Sequence, residues 1–253
     1  MSSMALRLIA LVTMLLDHIG SVFRADLPEW LYITLRLTGR LAMPIFCFLI
    51  AEGLFHTRSA PRYLARMFVF AILSEIPFDL AFSGTLWNIE EQNVFFTLTL
   101  GLAAIAVFDW MLGLGLTHIV VFVPILSAAA AWFLRTDYSL FGVYFIFVFY
   151  ICRNKTKPLI AAFSAGVLAL AVYVYQPGTV FAQLTVMHMG ALAFILRYNG
   201  KPGALPGLGR RQASEPPADL PRAKKTTAAF VSQMAFYAFY PAHLLILYII
   251  RHI

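Results

Sequence analysis

The stretch MALRLIALVTMLLDHIGSVF, residues 4–23, decides the class of fold. Arg7, Asp17 and His18 are the only ionisable residues in an otherwise apolar or small-residue run. About 20 helical residues at 1.5 Å each cross a bilayer core of about 30 Å, so the stretch is sized as a spanning helix. It is too long for a cleaved secretory signal, its charges are wrongly placed, and no A-x-A-like site follows. The stretch therefore reads as a retained first span.

The rest of the chain repeats that character. Hydrophobic residues make up 61% of the 253 positions and charged residues only 12%, against roughly 25% charged in soluble domains. Apolar runs are expected to span about 4–23, 30–54, 62–82, 94–112, 116–134, 139–152, 157–175, 179–197 and 228–251. The fold class is then an all-α, polytopic integral membrane bundle of about nine transmembrane helices. It forms a single domain over residues 1–253 with a flexible linker at about 199–227, rich in proline, glycine and basic residues. Cys47 and Cys152 fall in or beside apolar runs and provide neither a disulfide framework nor a metal site.

Charge placement tests the count. With the N-terminus inside, the loops after the second, sixth and eighth spans hold thirteen Lys and Arg on one side, among them Arg58, Arg62, Arg66, Arg153, Lys155 and Lys157. The opposite side has Arg24, Arg135 and Arg251 among Asp26, Glu29, Glu90, Glu91 and Asp137. Basic loops remain in the cytoplasm, so the N-terminus is cytoplasmic. The net charge of +7 thus reflects topology and membrane lipid, not a nucleic-acid partner.

Several charges lie where a bilayer penalises them by about 2.5–3.5 kcal/mol each. Arg7 and His18 are eleven residues apart, about 20° beyond three full turns, so both project from one face about 16 Å apart. Arg36 and Arg40 stack at i, i+4 in the outer half of the second span, at a depth that overlaps Asp17 and His18. Glu75 and Asp79 form another i, i+4 pair in the outer half of the third, with Pro77 between them expected to interrupt the helix. His243 follows Pro241 in the ninth. Arg36–Asp17 and Arg40–Glu75 are candidate ion pairs between helices. Glu52 and His56, at the cytoplasmic end of the second span, are placed to reach water. His118 and His188 read as helix–helix hydrogen-bond partners.

These residues carry a resemblance. RLIALVTMLLDHIGSVF, LRLTGRLAMPIFCFLIAEGLFHTR, FAILSEIPFDLAFSG, QNVFFTL, TDYSLFGV and FYAFYPAHLLILY, in this order over about residues 5–250, resemble the TraX family. That family is associated with N-terminal acetylation of conjugative pilin. The Arg–x10–His spacing of the first span is similar to that of a wider superfamily of transmembrane acyltransferases. The resemblance implies a bacterial inner-membrane enzyme that takes an acyl group from cytoplasmic acetyl-CoA or another acyl-CoA. The acceptor would be an amine or hydroxyl near the outer face, either a pilin-like peptide or an envelope glycan.

Carried onto this chain, the resemblance makes His18 the catalytic base or acyl carrier. Asp17, Glu75 or Asp79 would orient it, and Arg36 or Arg40 would bind an anionic acceptor or the developing oxyanion. Arg7, Arg58, Arg62 and His243 belong to the donor side, where the arginines suit the phosphates of CoA. Two other readings stay open: a proton-coupled transporter, since intramembrane acids and histidines also relay protons, and a non-enzymatic chaperone of a small membrane protein.

Overall fold

The structure, a computed structural model, describes residues 1–175, 185–201 and 227–253, with side chains in the last segment from residue 234 onward. Among the described residues the chain is an all-helical membrane bundle. Its α-helices are α1 (Ser3–Val22), α2 (Glu29–Gly39), α3 (Ala42–His56), α4 (Ala60–Ser83), α5 (Val94–Gly113), α6 (Phe122–Phe133), α7 (Ser139–Ile151), α8 (Thr156–Tyr173), α9 (Ala191–Ile195) and α10 (Thr227–His252). A 3₁₀ turn, Met187–Gly190, leads into α9.

Local chemistry sets several boundaries. Ser2 caps α1 by accepting from the Ala5 amide at 3.2 Å, which satisfies one of the four orphan donors of a helix start. Asn93 does the same for α5 through the Phe95 amide at 3.0 Å. α4 opens with Ser59 and Pro61 and stops at Gly84, whose φ of +69° is a left-handed cap.

Among the described residues, five helical stretches are long and apolar enough to cross a bilayer: Ser3–Val22, Glu29–His56, Val94–Gly113, Thr156–Tyr173 and Met234–His252. The second is not one straight rod, because it breaks at Arg40–Leu41 between α2 and α3. α4 is long enough at 24 residues, but its Arg62, Arg66, Glu75 and Asp79 dilute its apolar character. It runs unbroken through Pro77, contrary to the expected interruption there. The fifth expected span, 116–134, is helical only over the 12 residues of α6, about 18 Å at 1.5 Å per residue. Residues 114–121 are a series of turns instead. In the eighth expected span, residues 179–184 lie outside the described residues and the remainder gives two helical residues, 185–186, the 3₁₀ turn and α9. Residues 202–226 of the expected linker also lie outside them.

The two ends of the bundle are chemically distinct. At one end the Met1 ammonium donates to the Arg197 carbonyl, Ser3 N to the Lys201 carbonyl at 2.8 Å, and Arg153 pairs with Glu52 at 2.7 Å. Glu52 also meets His56 at 3.2 Å, so both groups are tied into a polar cluster at this end. At the other, Gln92 N donates to the Arg135 carbonyl at 3.1 Å and Asp137 N to the Gln92 carbonyl at 2.9 Å. Arg58, Arg62, Arg153, Lys155, Lys157 and Arg197 cluster at the first end, which the positive-inside rule assigns to the cytoplasm. All four tryptophans are more than half exposed, and each lies near a helix end or in an outer loop, as expected for interfacial anchors. The core is formed by Leu6, Ile45, Met67, Leu102, Phe145 and Leu244, while Ile72, Leu73, Leu168 and Val172 are exposed, a surface matched to lipid.

Candidate functional site

One stripe of α1 organises the interior. Arg7, Leu11 and Met14 line an inner cavity of about 100 Å3. His18 and Ser21, further along the same stripe, line an outer pocket of about 750 Å3. Intervals of three and four residues keep all five on one face, as the spacing of Arg7 and His18 predicts. The inner cavity is otherwise mostly apolar, with Phe46, Leu49, Met67 and Leu98 on its walls and Tyr63, Tyr237 and Tyr240 supplying hydroxyls. The Arg7 guanidinium lies 5.6 Å from the centroid of the Phe236 ring, a contact that holds a cation against apolar surroundings.

The outer pocket is built on the close approach of α1 and α2. Arg36 Nη1 donates to Asp17 Oδ2 at 2.6 Å, the first of the two expected ion pairs. Gly39 makes this fit possible, because a Cβ there would lie 2.2 Å from Asp17 Cβ. The turn at Arg40–Leu41 follows directly, so the helix breaks where the acid of α1 enters it. Arg40 does not reach Glu75. Its Nη1 donates to the Tyr138 hydroxyl at 3.2 Å, on the loop before α7.

That loop is backbone-strained. Arg135, Tyr138 and Ser139 adopt φ of 51°, 61° and 44°, a region that costs non-glycine residues about 1–2 kcal/mol each. Its bonds to Gln92 hold the loop, together with Thr97, whose hydroxyl bonds Thr136 Oγ1 at 2.9 Å and the Asp137 carbonyl. Such strain persists where surrounding structure over-determines it. Asp137, on the pocket wall with Glu90, Glu91 and Arg135, has its carboxyl pushed up to about 6 by burial, which outweighs the attraction of Arg40.

On the wall of the outer pocket, His18 Nδ1 lies 2.7 Å from His243 Nε2. The ring centroids are 5.0 Å apart with planes within 3°, the geometry of two imidazoles joined edge to edge in one plane. The proton positions follow from the outer partner. His243 Nδ1 faces the Phe239 carbonyl at 2.7 Å, a pure acceptor, so that nitrogen carries a proton. The Nε2 of neutral His243 is then a lone pair, and the bond to it requires a proton on His18 Nδ1. His18 Nε2 is left unprotonated. The rings of Phe82 at 5.4 Å and Tyr240 at 5.8 Å, centroid to centroid, stand steeply to the His18 ring and pack against it.

The acids of α4 do not orient His18. Glu75 Oε2 receives the buried Asn93 side-chain amide, and Asp79 Oδ2 accepts the Asn88 amide at 2.8 Å. Both acids organise the start of α5 and the loop before it. Asp17 is occupied by Arg36. His243 lies against His18, towards the outside as its place in the ninth span implies, and not with the donor-side residues among which the resemblance grouped it. Arg58 and Arg62 are exposed at the cytoplasmic end and line neither chamber. His118 is exposed, and His188 bonds locally to the Thr185 carbonyl at 2.5 Å with its ring edge on Tyr138. Tyr138, Asp137 and Tyr240 join the site unexpectedly. Their only sequence signal was their place in the TDYSLFGV and FYAFYPAHLLILY blocks.

A probable fimbrial assembly protein of Dichelobacter nodosus, FimC of serogroup H1, is 31% identical over 262 aligned positions, covering 97% of this chain and 94% of that protein. No solved structure matches. The family model described as TraX protein matches residues 2–251. With that match over nearly the whole chain and a relative aligned over nearly all of both chains, the chain belongs to the TraX family.

Proposed function

We propose that the protein is a membrane-embedded acetyltransferase of the bacterial cytoplasmic membrane, with acetyl-CoA as donor and a pilin-type amine as acceptor. The observation that carries this reading is the hydrogen-bonded relay Phe239 carbonyl–His243–His18, which leaves His18 Nε2 as a free base at the outer pocket. An amine nucleophile must lose a proton as it attacks a thioester, and a fixed neutral imidazole suits that task near pH 7. The acceptor nitrogen bonds to the carbonyl carbon, the carbon–sulfur bond breaks, and the proton taken by His18 passes to the departing thiolate. As His18 becomes cationic, its bond to neutral His243 becomes charge-assisted and strengthens.

The inner cavity suits the reacting end of the donor. Its volume of about 100 Å3 fits a short acyl thioester better than a long acyl chain. Arg7, with Arg58 and Arg62 at the cytoplasmic end, offers cations to the phosphates of CoA. The outer pocket is within the usual size of a ligand site, and its four acids, Asp17, Glu90, Glu91 and Asp137, outnumber its arginines, Arg36, Arg40 and Arg135, a balance that favours an ammonium on entry; that ammonium gives one proton to water in the pocket before it attacks as the neutral amine.

The test uses the purified chain in lipid nanodiscs, labelled acetyl-CoA and a short peptide with a free N-terminus. Thiol release and peptide acetylation are expected, both lost in His18→Ala, with an N-terminally blocked peptide inert. Full activity in His18→Ala overturns the assignment. The relative's description as a fimbrial assembly protein favours a second reading, a non-enzymatic assembly partner. Peptide binding by the wild-type chain without any donor turnover would select it.

A further inference from the structure

Resting on the acetyltransferase reading, we infer that the Tyr240 hydroxyl is a catalytic hydrogen-bond donor to the thioester carbonyl oxygen. Tyr240 links the inner cavity to the histidine pair. It lines the inner cavity beside Arg7, and its ring stands steeply against those of His18 at 5.8 Å and His243 at 5.6 Å, centroid to centroid. Only 3% of the residue is exposed. The Val94 amide approaches its oxygen, while its hydroxyl proton has no acceptor among the described residues.

A buried hydroxyl without an acceptor costs about 1–3 kcal/mol, and a phenylalanine at the same place would pack equally well against His18, His243 and Phe95. The hydroxyl is therefore not explained by packing. Its position answers a need the relay leaves unmet. His18 manages the proton of the nucleophile, but nothing in that relay stabilises the negative charge that develops on the carbonyl oxygen. A donor on the wall of the inner cavity, carried by a residue whose ring packs on the base, suits that role. Arg36 and Arg40 are committed to Asp17 and Tyr138 on the outer side. Tyr240 keeps its proton throughout: it shares it with the oxyanion as the tetrahedral intermediate forms, and the bond weakens when the thiolate leaves.

The test is Tyr240→Phe in the full chain in nanodiscs with acetyl-CoA and the free-amine peptide. The expected result is a fall of about 10²–10³ in kcat, KM for acetyl-CoA within threefold of wild type and a thermal midpoint equal to or above that of wild type. Direct evidence comes from a non-transferable ketone analogue of acetyl-CoA with a 13C carbonyl. Its infrared carbonyl stretch should lie lower when bound to wild type than to Tyr240→Phe. Wild-type kcat in the variant, or an identical carbonyl frequency in both, overturns the inference while leaving the acetyltransferase reading intact. Absence of turnover in the wild-type chain overturns both. A parallel loss of kcat and thermal midpoint, with no frequency difference, makes Tyr240 a packing residue and overturns the inference alone.

Discussion

Replacing His243 by phenylalanine removes the acceptor of the 2.7 Å bond that holds His18 in one tautomer and keeps an aromatic ring in the gap. In the resting state this bond is neutral and contributes about 1 kcal/mol. In the transition state His18 carries charge, and a charge-assisted bond contributes about 1.5–3 kcal/mol. The difference, about 0.5–2 kcal/mol, corresponds to about a 2–30-fold loss in rate at 1.36 kcal/mol per tenfold. A ring free to carry its proton on either nitrogen spends much of its time with the wrong one exposed, which adds a few-fold. The expected loss in kcat is about 10–100-fold, far short of that in His18→Ala. His243→Gln, whose amide oxygen can accept from His18 Nδ1, should recover part of it. The assay is thiol release from acetyl-CoA in nanodiscs, with thermal midpoints measured in parallel. If His243→Phe turns over within threefold of wild type, or Gln is no better than Phe, the relay does not orient the base.

Two further outcomes follow from the pocket. Asp137 is anionic above about pH 6 and neutral below it, where Arg40, Arg36, Asp17 and Glu91 surround it. KM for a cationic peptide amine should therefore rise as pH falls through that value, and Asp137→Asn should flatten the dependence; an unchanged profile in the variant refutes an electrostatic role. Gly39→Ala places a Cβ 2.2 Å from Asp17 Cβ, overpacking that costs about 1–3 kcal/mol. A lowered thermal midpoint and at least tenfold lower activity are expected, and wild-type values for both would show that α1 and α2 can separate without harm.

What the sequence made legible was what depends on one helix or one depth. The stripe from Arg7 to His18 follows from 100° per residue, and the Arg36–Asp17 pair follows from two charges at a common level. The partner of His18 was illegible, because it depends on which helices are neighbours in the bundle, and no spacing within a segment encodes that. The break at Arg40–Leu41 was hidden for a similar reason: it arises where Asp17 of another helix fills the space beside Gly39. Pro77, the visible helix breaker, was absorbed into a continuous α4. The shortness of α6 was hidden by composition, since residues 114–121 are as apolar as a span.

The pairing of His18 with His243 also ties chemistry to biosynthesis. The two residues are separated by 225 positions and belong to the first helix and the last. At about 5–20 residues per second, the first histidine waits roughly 10–45 s on the ribosome for the second to be made. Until the final helix inserts beside α1, His18 has no acceptor for its Nδ1 proton and the wall formed by Tyr240 is missing. On the acetyltransferase reading, a nascent or truncated chain lacks this relay and turns over at a small fraction of the full rate, so full turnover reports that the first and last described helices have come together.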